Sequence, residues 1–478
     1  MDKKHFSRRD FVKAVGAVSG AVVLAACQPE VVKETVMVEK EVEKVVTQVV
    51  KETVVIEGTP QVVEKVVEKV VTNTPAPKAA TQVSFMVPGS PNEDADFAPV
   101  FEAFNEMYDD VEGIYAPAGT GYGSKYNDKV MTMLAGGILP DCFKSLDFFG
   151  SLADMGVYVP LDDYIAAEPE ITQFDDFFQA HVEACLYKGE MMALPNDGAP
   201  VGYWYNVDMF EAEGLELPDW DTTWSEMLAS AQEMTKVENG LTTSYGFGRP
   251  AWRIWVWSNG GLEMSEDGSK CTLDEPEAIE AMQWIQDSIV EHGVCPGPEA
   301  LAEISQGERF QTGKLGGFTG ARGGLGGLRG IEDFRFDAAP MPKSDKGIRM
   351  TQLLIGWTSI WKGSKEYDAA YKLAAFICSQ EGQRLRISRG YAHPSRKSLV
   401  EEEWYKTYQC PKCNSFGVNS VFPEMLLRGE ARALPAHKDR AQIDQVINTE
   451  LDYLWDGSRP AEQVCQNIAT EVNKIVSR

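Results

Sequence analysis

The feature that most constrains the fold of this chain is a recurring order of buried strand, loop and helix that begins at Gln82. Residues 83–87 form an apolar run typical of a buried strand, and residues 88–91, rich in proline and glycine, form the loop that ends it. Residues 97–107 then carry apolar side chains at helical spacing. The order recurs further along, which predicts α/β layers with parallel sheets. Ligands of such sheets lie at the carboxyl ends of strands, so we expect functional residues in the loops that follow strands.

The first 26 residues have the pattern of an export signal. Arg8 and Arg9 precede an apolar run over residues 14–26, well short of the ~20 residues that a membrane-spanning helix needs. The paired arginines resemble the twin-arginine export signal, and the small residues before Cys27 resemble a lipobox, in which the cysteine is acylated. We therefore predict a signal peptide over residues 1–26 and an extracytoplasmic protein held at the cell membrane by lipid on Cys27.

The acidic composition limits the partners that this chain can have. The formal net charge is −27, and removal of the basic signal peptide leaves the rest more acidic still. Such a surface repels nucleic acid and anionic lipid headgroups, so we expect neither as a partner. Apolar residues make up 44% of the sequence, which is enough for the cores of two domains.

The cysteines other than Cys27 are even in number, which in an exported chain suits disulfides, although the sequence leaves their pairing open. They are Cys142, Cys185, Cys271, Cys295, Cys378, Cys410, Cys413 and Cys465. Cys410 and Cys413 are the one local pair, which could be a structural disulfide, a redox dithiol or half of a zinc site. We predict the structural disulfide, because no second such pair or histidine cluster completes a zinc site. No metal or other cofactor is expected.

Residues 27–81 are low in complexity, with a repeated Val-Val-Glu-Lys pattern. Valine pairs every four residues could form an amphipathic helix or a weak coiled coil that binds a partner, although valine lowers helix propensity and no heptad register is kept. We favour a solvated stalk that lifts the globular part off the membrane.

Four segments carry short motifs in a fixed order. They are residues 126–141, which end in Leu139-Pro140-Asp141; residues 193–227, with Tyr205-Asn206-Val207-Asp208 and Thr223-Trp224-Ser225-Glu226; residues 259–278, which begin with Asn259-Gly260-Gly261; and residues 356–377, with Gly356-Trp357 and Lys362-Gly363-Ser364-Lys365. In their order and spacing these segments resemble the extracellular solute-binding proteins of ABC importers, specifically the large sugar-binding family related to maltose-binding protein. The likeness extends from about residue 82 to the C-terminus.

The resemblance implies a two-lobed periplasmic-binding-protein-like fold, in which each lobe is a mostly parallel sheet flanked by helices and hinge strands join the lobes. The first lobe would comprise residues 82–197 and 340–392, and the second residues 198–339 and 393–478. The resemblance further implies a monomer that traps a mono- or oligosaccharide as the lobes close and delivers it to the permease subunits of an ABC importer.

The same resemblance assigns candidate ligand contacts to both lobes. In the first lobe and the hinge they are Ser90, Ser145, Asp147, Phe148, Asp197 and Trp357, and in the second lobe Arg249, Trp252 and Arg322. Asp147 could instead cap a helix, and Arg322 could instead form a structural ion pair. Trp255 and Trp257 are expected to pack in the core.

Two alternatives to a sugar receptor remain open. Arg249 and Arg322 could hold an anionic solute such as a uronate or a polyol phosphate, or a metal chelate. A surface glycan-processing enzyme would be a different class of protein. The chain has no Gly-x-Ser-x-Gly or His-Glu-x-x-His motif, and no segment resembles the paired catalytic carboxylates of a glycosidase. We therefore predict a binding protein and not an enzyme.

Overall fold

The computed structural model describes residues 46–56, 59–69, 80–388, 392–408, 412–413 and 415–477. The chain divides into two compact units, Met1–Lys78 and Ala79–Arg478, which are described separately. The predicted signal peptide and Cys27 lie outside the described residues, so the export and lipidation predictions stay predictions.

The described part of the first unit is a β-hairpin. Strand β1 (Val46–Ile56) pairs antiparallel with β2 (Thr59–Lys69), with Val46 opposite Lys69 and Ile56 opposite Thr59. The helix or coiled coil that we considered for the stalk is therefore wrong for these residues. Valine is branched at Cβ, which disfavours helix and favours strand, and that preference outweighs the four-residue repeat.

The second unit contains alternating strands and helices. Its strands are β3 (Thr81–Met86), β4 (Val111–Tyr115), β5 (Cys142–Ser145), β6 (Leu186–Tyr187), β7 (Glu190–Met191), β8 (Leu194–Asn206), β9 (Lys236–Glu238), β10 (Leu241–Ser244), β11 (Gly317–Ala321), β12 (Phe336–Ala339), β13 (Thr351–Ile360) and β14 (Ala431–Arg432).

The helices of this unit flank the strands. They are α1 (Pro91–Met107), α2 (Ser124–Ala135), α3 (Phe149–Asp154), α4 (Asp162–Ala167), α5 (Pro169–Thr172), α6 (Gln179–Ala184), α7 (Val207–Ala212), α8 (Trp224–Met234), α9 (Trp252–Ser258), α10 (Pro276–Val290), α11 (Pro298–Glu303), α12 (Gln306–Gln311), α13 (Leu325–Leu328), α14 (Tyr367–Cys378), α15 (Gln380–Ile387), α16 (Lys397–Val400), α17 (Glu403–Lys406), α18 (Ser415–Leu427), α19 (Arg440–Trp455) and α20 (Ala461–Val476), with short 3₁₀ turns at Phe174–Asp176 and Arg322–Gly324. Within the described part of the chain, no helix combines the length and apolar character needed to cross a bilayer.

The central sheet has the strand order β11-β8-β13-β5-β3-β4, with β12 also paired to β8 and β14 to β13. Strand β3 is parallel to β4 and β5, whereas β13 is antiparallel to β5 and β8, and β8 is antiparallel to β11 and β12. The α/β class is as predicted, but the expectation of a mostly parallel sheet in each lobe is wrong for the half built on β8. The apolar pattern of a buried strand does not reveal the direction of its neighbours, which here arrive from distant parts of the chain.

Strand β8 has different partners along its length. Its first half pairs with β13, from Leu194 opposite Thr358 to Pro200 opposite Leu353. Its second half, from Val201 to Asn206, pairs with β11 and β12. We call the half of the sheet with β3, β4 and β5 the first lobe and the half with β11 and β12 the second lobe. One continuous strand therefore joins the two lobes.

Three buried apolar clusters lie around the sheet. The first packs β3 and β5 against α1 and α14, and it also includes Tyr405 and Leu426 from the segment assigned by sequence to the second lobe. The second contains Trp255 and Trp257, which confirms that these two side chains are core residues. The third surrounds Trp204. The residue boundaries proposed for the lobes stay a prediction.

The cysteines correct one expectation and leave another partly open. Cys413 is disulfide-bonded, while Cys410 lies outside the described residues, so the pairing of these two cysteines stays a prediction. Six other cysteines are free and buried, so disulfides among them are wrong. These six are Cys142, Cys185, Cys271, Cys295, Cys378 and Cys465. They occupy apolar core positions, where a thiol packs as a small apolar side chain.

Candidate functional site

A cavity of about 710 Å³ lies beside the paired strands β8 and β13. Residues 197–199 of β8 and 352–357 of β13 line it, together with the start of α1 and the glycine-rich segment 323–327 that follows β11. Both lobes therefore contribute to its wall, and the volume lies within the range of small-molecule sites. The polar lining residues are Ser90, Asn92, Glu93, Asp96, Tyr122, Asn127, Lys144, Asp147, Asp197, Gln352, Arg386 and His393.

A buried ion-pair network forms the first-lobe side of this cavity. Lys144 Nζ lies 3.1 Å from Asp197 Oδ2 and 3.7 Å from Glu93 Oε1. Arg386 forms ion pairs with the same Asp197 oxygen and donates a hydrogen bond to the Asn196 side chain. Burial opposes ionisation of Asp197, but the charges of Arg386 and Lys144 outweigh burial and hold its pKa well below the ordinary range. Asp197 is therefore a carboxylate that two cations hold in place.

Tyr122 and the start of α1 extend the network. Tyr122 donates its hydroxyl to Glu93 Oε1 at 2.7 Å and accepts a hydrogen bond from Lys144 Nζ at 3.0 Å. The other Glu93 oxygen accepts the Gly89 N–H at 2.9 Å, and Ser90 caps α1 by accepting the Glu93 N–H at 3.2 Å. The cap thereby fixes Glu93 in the wall.

Trp357 supplies an aromatic surface to the cavity. Its ring stacks on Phe149 with centroids 5.1 Å apart and planes inclined by 4°. Its Nε1 donates to the Ala184 carbonyl at 2.7 Å, so the ring is fixed both by stacking and by a hydrogen bond. The strand register of β13 shifts between Gly356 and Trp357, which marks a bulge next to the site.

Asp147 lines the same cavity from the first lobe but is influenced by charges of the second. Partial desolvation and then the Asp444 carboxylate raise its pKa, while Arg253 and Arg440 lower it, although the side chain keeps contact with solvent. The residue at the start of α3 is Phe148, and no side chain caps that helix, so the helix-capping alternative for Asp147 finds no support in the hydrogen bonds.

The nine residues predicted to contact the ligand do not all line the same cavity. Ser90, Asp147, Asp197 and Trp357 line the cavity. Ser145 is fully buried, and its hydroxyl is engaged by Tyr158 at 2.8 Å and Ser359 at 3.1 Å. Phe148 packs on the first core near Tyr126.

Arg322 lies behind the wall of the cavity. It is fully buried, donates to the carbonyls of Ala392 at 2.9 Å and Val418 at 3.2 Å, and has its guanidinium 4.6 Å from the Tyr405 ring. These contacts tie the segment after β11 to the later part of the chain, which supports a structural role for Arg322. Arg249 and Trp252 line a second cavity in the second lobe.

Sequence reasoning missed Glu93, Lys144 and Arg386. A lysine within the buried strand Cys142–Ser145 was a usable signal, because a buried lysine requires a partner. Arg386 gave no local signal, since its partner Asp197 is 189 residues away. Among the described residues, no group of His, Cys, Asp and Glu side chains is arranged to hold a metal ion.

These features define a class of protein, a two-lobed α/β binding protein with its ligand cavity between the lobes. Among solved structures, an ABC substrate-binding protein of Listeria monocytogenes in complex with cycloalternan covers 83% of this chain and 99% of its own, with 21% identity and a TM-score of 0.73. Maltose-bound MalE3 of T. maritima matches with 22% identity, a TM-score of 0.66 and coverage of 83% and 100%. The two-lobed periplasmic-binding-protein-like fold is thus confirmed.

A family described as bacterial extracellular solute-binding protein matches residues 100–411, and the chain belongs to that family. It is accordingly an extracytoplasmic solute-binding protein of the kind that serves ABC importers. A binding protein of Brucella abortus is 22% identical over 333 residues, which cover 68% of this chain and 76% of the relative. The sn-glycerol-3-phosphate-binding periplasmic protein UgpB of Escherichia coli is 22% identical over 318 residues, or 61% of this chain and 68% of the relative.

Proposed function

We propose that this protein is a lipid-anchored receptor that binds a carbohydrate, a mono- or oligosaccharide, between its lobes and delivers it to an ABC importer. The observation that supports a carbohydrate is the pairing of charges in the described cavity wall. Lys144 and Arg386 both form ion pairs with Asp197, so neither cation is available to neutralise an anion. Such a wall offers fixed donors and acceptors, which suit the hydroxyl groups of a neutral ligand.

The aromatic lining supports the same ligand class. A sugar ring has an apolar C–H face and a rim of hydroxyls, so its site needs a flat apolar surface beside polar groups. Trp357 offers the flat surface, and Glu93, Tyr122 and Asn127 lie among the polar groups of the same cavity. Because Trp357 and its partner Phe149 are packed in advance, little side-chain entropy is lost when a ligand arrives.

Binding would couple to closure of the lobes. A ligand favours the closed form only if it touches both lobes, and the cavity is lined by the first lobe at Asp197 and by the second at Gly323 and Gly324. We further propose that the protein acts as a monomer, tethered by acylated Cys27 so that it stays near its permease.

An anionic solute, such as a polyol phosphate or a uronate, is the second candidate. Two kinds of observation favour it: the UgpB relative is named for sn-glycerol 3-phosphate, and a solved UgpB of Mycobacterium tuberculosis, with a TM-score of 0.69 and 19% identity, is in complex with glycerophosphocholine. The paired cations of the main cavity weigh against an anion at that place.

A thermal-shift and calorimetry screen separates the two candidates. Neutral oligosaccharides, uronate oligosaccharides and sn-glycerol 3-phosphate are tested on the wild type, on Asp197→Asn and on the matched control Asp456→Asn, which changes an exposed carboxylate outside the cavity. A saccharide present at 100 times its Kd should stabilise the wild type and the control by about 2.7 kcal/mol, and Asp197→Asn should lose most of that gain. Stabilisation by sn-glycerol 3-phosphate with no response to any saccharide would overturn the carbohydrate assignment.

The anchor is tested separately in cells. Cys27→Ala should move the protein from the membrane fraction to the soluble extracytoplasmic fraction, and a paired Arg8→Lys, Arg9→Lys change should block export. Membrane attachment that survives Cys27→Ala would refute the lipid anchor.

A further inference from the structure

A second cavity, of about 490 Å³, lies in the second lobe between β11, α12 and one face of α19. Trp252 and Trp455 give it aromatic walls, and Arg249 also lines it, with its guanidinium 4.9 Å from the Trp455 ring. The polar groups that complete the lining are Ser305, Gln306, Thr319 and Asn448. Aromatic rings beside hydroxyl and amide groups make this cavity chemically suited to part of a polar ligand.

Arg249 differs from the cations of the main cavity in having no acid of its own. Among the described residues it forms no ion pair within 4.0 Å and no hydrogen bond, and its contact is the stack on Trp455. Asp452 acts on it only from beyond ion-pair distance. The half-buried guanidinium of Arg249 therefore lines a cavity while its N–H groups donate no hydrogen bond to the described residues. The planar arrangement of these donors matches the oxygen atoms of a carboxylate or phosphate.

The two cavities lie along one face of one strand. Thr319 lines the second cavity and Ala321 the main one, and residues two apart in a strand point to the same face, roughly 7 Å apart. The backbone before Arg249 is fixed to that strand, because Gly248 N–H donates to the Gly317 carbonyl at 2.8 Å. Gly248 also leaves room for Gln306, whose amide would lie 2.7 Å from a β-carbon at that position. A ligand in the part of the main cavity beside Ala321 could therefore extend past Thr319 toward Arg249.

We propose that the solute is an acidic carbohydrate, with its neutral rings in the main cavity and an oxyanion group, carboxylate or phosphate, held in the second cavity by the unpaired Arg249 beside Trp455. This inference rests on the proposed function and deepens it by naming the ligand's charged group and its place. The main cavity contributes hydroxyl recognition, and the second cavity selects for the acidic group.

The test uses matched ligands that differ only in charge. Galacturonate, glucuronate and mannuronate trimers are each compared with their methyl esters by calorimetry, and sn-glycerol 3-phosphate serves as the phosphate arm. The variants are Arg249→Met, Arg249→Lys and the control Arg428→Met, which removes an arginine stacked on Trp220 at 4.2 Å outside both cavities. Urea unfolding confirms that each variant is folded.

We expect at least one acidic trimer to bind the wild type tenfold or more tightly than its ester, because a charge-assisted hydrogen-bond pair is lost with the charge. Arg249→Met should erase that difference without changing the affinity for the ester, Arg249→Lys should keep part of it, and Arg428→Met all of it. Selective binding of sn-glycerol 3-phosphate that is lost in Arg249→Met would support the oxyanion site and overturn the carbohydrate function.

Other results contradict the inference. Equal affinity of the wild type for acids and esters would overturn it while leaving the carbohydrate function in place. An equal loss of acid and ester binding in Arg249→Met would also overturn it, because the arginine would then serve only to shape the cavity. Failure of every ligand in the set would count against both the inference and the function on which it rests.

Discussion

Lys144 on β5 and Asp197 on β8 form an ion pair at 3.1 Å although strand β13 lies between their strands. The pair passes over β13 at Gly356, which lies opposite Asp197 in the register. A β-carbon at Gly356 would be 2.3 Å from Asp197 Oδ1 and 2.3 Å from Lys144 Cε. Because Gly356 has no side chain, Lys144 on β5 and Asp197 on β8 can form an ion pair across the intervening strand β13.

Gly356→Ala should displace this ion pair. Overpacking of a well-packed site costs about 1–3 kcal/mol, and we expect a loss of that size in the free energy of unfolding together with weaker ligand binding. Urea unfolding and calorimetry measure the two effects. Gly330→Ala is the matched control, since nothing lies within 4 Å of a β-carbon there, and it should leave both quantities close to wild type. An unchanged affinity in Gly356→Ala would show that the ion pair does not shape the site.

Substitutions of Trp357 and Phe149 should affect ligand affinity and stability to different degrees. Trp357→Phe loses the hydrogen bond to Ala184 and part of the aromatic surface in the cavity, so ligand affinity should fall roughly fivefold to tenfold. Phe149→Leu changes a stacked residue that does not line the cavity, and it should lower stability by about 1 kcal/mol with a smaller effect on affinity. The prediction fails if Phe149→Leu weakens binding more than Trp357→Phe does.

Glu263 should make the second lobe sensitive to acid. Burial opposes its ionisation, but Arg253, whose Nε lies 2.6 Å away, and Arg440 lower its pKa from 4.5 to about 2. A carboxylate with a lowered folded-state pKa stabilises the protein above its unfolded pKa, and that contribution disappears as the pH falls toward the folded value. Between about pH 4.5 and pH 2 the wild type should lose on the order of 3 kcal/mol through this group.

Glu263→Gln should flatten this part of the pH profile of unfolding, whereas the exposed control Glu266→Gln should reproduce the wild-type slope. A wild-type slope in Glu263→Gln would assign the acid sensitivity to other carboxylates, with Asp197 the first to examine because its pKa is also lowered.

The six free cysteines should be inert in the native protein. Burial raises the pKa of each thiol, to about 12 for Cys271, Cys295, Cys378 and Cys465, and well above the ordinary thiol range for Cys142 and Cys185. Since the thiolate is the reacting form, a disulfide reagent should modify these six at least about a thousandfold more slowly than free cysteine at neutral pH. Addition of guanidinium should release all six at once, and mass spectrometry identifies the sites. Rapid labelling of any one without denaturant would reveal local opening.

Local patterns predicted the elements better than the contacts between them. The helix predicted over residues 97–107 is the second part of α1, which begins earlier because Ser90 caps it and Pro91 fits the first turn. Trp255 and Trp257 were predicted as core residues from their setting among apolar neighbours, and both are buried. Such features depend on a few adjacent residues, which the sequence displays directly.

The site was predicted only in part because its residues meet through long-range pairing. Asp197 and Trp357 were expected at the cavity from the family resemblance and lie there. Two other residues of the site were not expected: Arg386, which neutralises Asp197, and Gly356, which makes room for the ion-pair network. The first lies on a helix far along the chain, and the role of the second depends on strand register. The buried position of Arg322 could not be predicted for the same reason: its hydrogen-bond acceptors Ala392 and Val418 come from segments that no local pattern connects to it.

Strand β8 has a mechanical consequence, since it pairs with β13 along one half and with β11 and β12 along the other. Lobes that share a continuous strand cannot move as freely as two domains joined by a flexible linker. Any movement that opens the cavity must twist the hydrogen-bonded strand β8. The sheet would therefore behave as a torsion spring, and its stiffness would limit how far the lobes separate. The elastic energy of twisting that single strand would therefore add to, or subtract from, the free energy with which a solute closes the lobes.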